Sequence, residues 1–182
     1  MTEAPRSRGR ARRAACALAL LASLVGLSAL IAPSAPAASA PAAVPQCTTA
    51  GLVIWLNAED SGALGSFYFK IEFANLSGRT CTLDGYPGVS AVNLHGRQIG
   101  SPADREVAGT PRVVTLAPEA EATALLHVVD VGVLPNSCHR TTAAGLRVYP
   151  PGERASKLVP FPFRTCAKLG DSPMSVRSIK LE

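Results

Sequence analysis

No two cysteines in this chain are spaced as C-x-x-C, no G-x-S-x-G occurs, and no glycine-rich phosphate loop follows a strand-like run. The first absence argues against a zinc site built from paired ligands. The second argues against a serine nucleophile on a strained elbow, and the third against a phosphate cradle. Aromatic residues make up only 5% of the chain, with one tryptophan, and no segment shows the periodicity of an amphipathic helix. The formal charge of +5 is also less than it looks, because Arg6, Arg8, Arg10, Arg12 and Arg13 crowd the N-terminus against Glu3 alone. Taking these five arginines and one glutamate from the totals of 18 and 13 leaves 13 basic and 12 acidic residues. The remainder is nearly neutral and lacks a Lys/Arg cluster with interleaved aromatics, so no nucleic-acid partner is expected.

What is present begins with an arginine-rich start followed by Ala14 to Ala32, 19 small or apolar residues without charge. This is the order of a secretory signal peptide, expected over residues 1–37. Ala35-Pro36-Ala37 and Ala38-Ser39-Ala40 both have the A-x-A form of a cleavage site. The first is preferred because cutting after Ala40 would put Pro41 directly behind the scissile bond. An uncleaved N-terminal anchor is the alternative, and a membrane association is expected only in that case. Residues 38–46 form an alanine- and proline-rich linker, leaving one domain over residues 47–182.

Cys16 leaves with the signal, so Cys47, Cys81, Cys138 and Cys166 remain. An even number in an exported chain points to two disulfides and a secreted or otherwise extracytoplasmic location. A turn at Pro151-Gly152 would bring Cys138 and Cys166 nearly opposite each other on a hairpin. Cys47 and Cys81 bracket a second pair of strands around Ser61-Gly62. The proposed pairing is therefore Cys47 with Cys81 and Cys138 with Cys166, with the other two connectivities left open.

Short segments of period-2 alternation recur along the domain, separated by turn signals. In the clearest, Phe67, Phe69, Ile71 and Phe73 alternate with Tyr68, Lys70 and Glu72, so one face reads apolar and the other wet. Further strands are expected at 51–56, 89–94, 112–116, 122–129, 145–149, 157–163 and 174–181, with a polar loop over 101–111 and an irregular stretch over 134–142. The pattern predicts an all-β fold, an antiparallel immunoglobulin-like β-sandwich of about eight strands stapled by disulfides. Trp55 is expected in the core between the sheets.

The run Ser77-Gly78-Arg79-Thr80-Cys81-Thr82-Leu83-Asp84-Gly85-Tyr86-Pro87-Gly88-Val89 resembles the core of a family of exported actinobacterial domains known as domain of unknown function 4232. Thr115-Leu116-Ala117-Pro118, Cys138 and Gly145-Leu146-Arg147-Val148-Tyr149-Pro150-Pro151-Gly152 continue the likeness in the same order. The resemblance implies an extracytoplasmic β-sandwich and brings no catalytic residues with it. Members are often lipoproteins or membrane-linked, whereas here no cysteine-ending lipobox follows the apolar run.

Catalytic and metal constellations are not legible in the residues. His127 and Asp130 are three apart, an odd spacing that puts them on opposite faces of a strand. His95, His127 and His139 lie 32 and 12 residues apart, without short ligand spacings. No metal or other cofactor is expected. Glu59-Asp60, Asp104/Glu106 and Glu119/Glu121 fall in turn-like segments. Tyr86-Pro87 and Tyr149-Pro150 place aromatic and proline side chains at loops, where contact anchors often lie. The expected function is a non-catalytic secreted or cell-envelope module with an extracellular or cell-wall partner. The alternative is a carboxylate-dependent hydrolase or inhibitor-like module, which would need two facing carboxyls about 5–9 Å apart.

Overall fold

The computed structural model describes residues 42–57, 62, 64–170 and 172–181. The expected signal peptide, residues 38–41 of the expected linker and the Glu59-Asp60 pair lie outside the described residues. A 3-10 turn, Thr49–Gly51, leads into β1 (Leu52–Asn57) and then β2 (Ser66–Asn75), β3 (Cys81–Leu83), β4 (Gly88–Val92), β5 (Gln98–Ile99) and β6 (Asp104–Arg105). These are followed by β7 (Val114–Leu116), β8 (Glu121–Val129), β9 (Arg140–Tyr149), β10 (Lys157–Cys166), β11 (Met174–Val176) and β12 (Lys180–Leu181). No α-helix occurs among the described residues, and none of their helical turns is long and apolar enough to cross a membrane.

One sheet runs β1-β2-β8-β11-β6, with β12 also pairing β8, and a second runs β10-β9-β4-β5. A small third pair joins β3 to β7. Pairing is antiparallel as the alternation predicts, except that β11 and β6 run parallel. That exception corrects the reading of 101–111 as loop, because Asp104 and Arg105 pair with Ser175 and Val176. Two residues of polar side chain carry no alternation to detect.

The inner faces of the two large sheets share one apolar cluster, with Ile71, Phe73 and Leu126 from the first and Val89, Leu146 and Val148 from the second. Large residues sit opposite small ones across β2 and β8, where Ile71 faces Ala124 and Phe73 faces Ala122. This lets the second layer approach without leaving voids. Two expectations about faces need correcting. Trp55 alternates with the core-packed Ile54 and Leu56, so it stands on the outer face, opposite Glu72. Glu72 is only 3% exposed, not wet, because it lies between Trp55 on β1 and Thr123 on β8.

Both disulfides form with the expected partners, Cys47–Cys81 and Cys138–Cys166. Their presence fits folding in an oxidising compartment. The second hairpin is longer than the alternation suggests, with β9 and β10 in register from Lys157 opposite Val148 to Cys166 opposite Arg140. Between Pro160 and Phe163 the register shifts. Two prolines, Pro160 and Pro162, are tolerated here because β10 is the sheet edge, where missing N–H donors break no inner ladder. Gly145 lies opposite Pro160, and any Cβ there would run into the Val159 carbonyl oxygen.

Candidate functional site

Among the described residues the pairing of β1 with β2 reaches Asn57 opposite Lys70, and residues 66–69 of β2 pair with β8. Alternation turns Phe69 toward the second sheet, and the bulged edge strand β10 presents Phe161 and Phe163 from across the sandwich. The Phe69 and Phe161 rings meet edge to face at 4.8 Å and 67°. Phe67 stacks beside Phe69 at 6.5 Å, and Phe163 beside Phe161 at 5.5 Å. Such offset and edge-on contacts suit the ring quadrupoles. Together the four phenylalanines make a ribbon that bridges both layers and lines a groove of about 440 Å³, which Val128, Val129 and Val131 also line.

Two charged side chains border this apolar groove, Asp130 and Arg164. Asp130 accepts a hydrogen bond on Oδ1 from the Gly132 N–H at 2.8 Å, which holds the turn after β8. The Arg164 guanidinium has no hydrogen bond or ion pair among the described residues, and it is exposed. The geometry is that of a small-molecule site, mostly apolar with a few polar groups, within the usual range of about 300–1,000 Å³.

A second cluster lies on the outer face of the first sheet. The Tyr68 and His127 rings stack at 4.7 Å, and His127 Nδ1 is 3.3 Å from Ser175 Oγ. The Ser175 hydroxyl is also 3.5 Å from Glu106 Oε2, while Arg177 donates to Glu106 Oε1 at 2.9 and 2.5 Å. Hydrogen bonding from Arg177 holds the Glu106 carboxyl below its ordinary range, against a smaller opposing effect of desolvation. A serine between acid and histidine is the wrong order for activating a nucleophile, where the histidine must link the other two. This group pairs β6 with β11 and β8. Asp130 is no part of it, as the odd spacing from His127 implies.

The loop residues singled out from sequence do come together, since Gly88 pairs with Tyr149 at one end of the sandwich. Pro87 and Pro150 are buried there, which leaves the half-buried Tyr86 and Tyr149 rings as the part that reaches solvent. Arg105 lies over the Tyr86 ring at 5.7 Å. His95 and His139 are exposed, and no group of three or more metal-capable side chains forms among the described residues. The phenylalanine groove was not anticipated as a site. Its signal in the sequence is Pro160-Phe161-Pro162-Phe163, an edge-strand run whose rings face Phe67 and Phe69 only after folding.

No curated protein and no solved structure matches this chain. Residues 47–180, well over half of its length, match the family described as Domain of unknown function (DUF4232), and the chain belongs to that family.

Proposed function

We propose that this protein is a non-catalytic binding module acting outside the cytoplasm, and that its ligand site is the groove between the two sheets. One observation carries the reading. Four phenylalanine rings line an open concavity, and while Phe69 is buried in the core, Phe67 is exposed and Phe161 and Phe163 only half-buried, where burial would ordinarily satisfy all four. The two disulfides support the extracytoplasmic part, because such bonds persist in oxidising compartments. Against the hydrolase alternative, Asp130 is the single carboxylate among the described residues that line the four main concavities. Hydrolysis of a glycosidic bond by the usual route needs two.

The test is a thermal-shift screen of the oxidised protein against apolar small molecules, followed by recovery and analysis of each hit. Binding to the native state raises the transition temperature by mass action. The reading expects hits that Phe163→Lys abolishes and that are recovered chemically intact. Conversion of a hit into product would overturn the non-catalytic assignment, and a screen with no hits would remove the binding one.

A further inference from the structure

We infer that the groove takes an apolar chain ending in a carboxylate, with the chain along the phenylalanine ribbon and the acid held by Arg164. This rests on the binding reading above and names the class of ligand.

The head group follows from the two charges on the rim. Arg164 offers a planar set of N–H donors with no partner among the described residues. A carboxylate matches that fork in a bidentate fashion, a stronger contact than a neutral hydrogen bond. Asp130 is the competing charge and would favour a cationic head, but its Oδ1 is already occupied by the Gly132 N–H. The two side chains do not pair with each other, so neither cancels the other at the rim.

The body of the ligand follows from the walls. Everything else that lines the groove is phenylalanine or valine: Phe67, Phe69, Phe161 and Phe163 with Val128, Val129 and Val131. Burying apolar surface there stabilises the complex by about 25 cal/mol per Å² removed from water. A peptide strand is the obvious rival occupant, since sheet edges recruit strands. Yet the β10 edge along the groove carries Pro160 and Pro162, which lack the N–H groups that a ladder needs. The ribbon therefore favours a ligand without a hydrogen-bonding backbone, such as a medium-length alkyl chain.

Decanoate, decanol and decyltrimethylammonium share the same chain and differ in head charge, so together they separate the two parts of the inference. Titrated into the oxidised, isotope-labelled protein, decanoate should move the amide resonances of residues 128–131 and 161–164 saturably. It should bind about tenfold tighter than decanol, the size of one charge-assisted hydrogen bond at a half-exposed site. Arg164→Gln should erase that preference while leaving decanol unchanged. Phe67→Glu, at a position 38% exposed and so safe for folding, should abolish decanoate binding. Equal affinity for decanoate and decanol, a preference surviving Arg164→Gln, or tightest binding of the ammonium compound would each overturn the acid-head assignment while leaving the groove as a site. If none of the three binds, or the shifts map elsewhere, both readings fall.

Discussion

The two disulfides close loops of similar length yet hold very different parts of the molecule. Cys47–Cys81 lies within the main core, where Cys47 is 1% and Cys81 4% exposed. It ties the segment before β1 to β3, beside backbone hydrogen bonds from Cys47 N–H to Thr82 and from Thr82 N–H to Pro45. Cys138–Cys166 sits in a separate small cluster with Val131 and the half-buried Leu134. That cluster adjoins the groove, because Val131 and Arg164 line the groove within a few residues of the two cysteines. One bridge therefore clamps the body of the fold, and the other fastens the end on which the proposed ligand site is built.

Loop entropy alone barely distinguishes them. With sequence separations of 34 and 28, the chain-entropy picture gives a difference of only about 0.2 kcal/mol between the two bridges. A larger measured difference would come from the native packing around each cystine. The largest effect is expected from Cys47→Ala with Cys81→Ala, a loss of about 2–5 kcal/mol in denaturant unfolding with a single cooperative transition. Equal losses for the two double variants would break the comparison. Cys138→Ala with Cys166→Ala should lose about 1–2 kcal/mol less, since its neighbours form only a satellite cluster. Its distinctive result should be local: amide exchange rises over residues 131–140, and ligand affinity at the groove drops while the core stays protected.

Gly100 sharpens the same contrast from a neighbouring chain segment. Its φ is +61°, and a Cβ there would run into the carbonyl oxygen of Cys166. Gly100→Ala should destabilise by about 1–3 kcal/mol and reproduce the local opening of the second bridge, measured by the same exchange experiment. A stable variant with unchanged exchange would show that Cys166 is not held at this point.

The smallest effect belongs to a region that neither bridge holds, the Glu106–Arg177 pair joining β6 to β11. Because Arg177 lowers the folded-state pKa of Glu106, the pair stabilises at neutral pH and is lost as the pH falls from the ordinary glutamate range through that lower value. Both side chains are about one-third or more exposed, so solvent screening limits the contribution to about 0.2–1 kcal/mol. Glu106→Gln should therefore flatten the acid limb of the stability curve slightly, with no change above pH 6 in its slope. A steeper acid limb in the variant would contradict the assignment.

The β-rich character was readable because period-2 alternation reports directly which way each side chain points. In β2 the placement of Phe69, Ile71 and Phe73 on one face followed from spacing alone. The disulfide partners were readable for a related reason: a hairpin turn at Pro151-Gly152 fixes which positions on its two arms come opposite. Depth was less accessible. Alternation set Glu72 on the outer face of its strand, but Trp55 and Thr123, which bury it there, come from other strands. Likewise Trp55 reads as a core residue by composition, and only the pairing of β1 with β2 turns it outward.

The sequence by itself determined the longer strands and the turns between them and pointed to the covalent partners, because these depend on local geometry and on spacing along the chain. Tertiary structure decided the rest: the parallel contact of Asp104–Arg105 with β11, the burial of Glu72 and the groove. Phe69 and Phe161 meet at 4.8 Å although they are far apart in sequence, and no periodicity encodes a contact between strands of different sheets. Such a site exists only once both layers have folded.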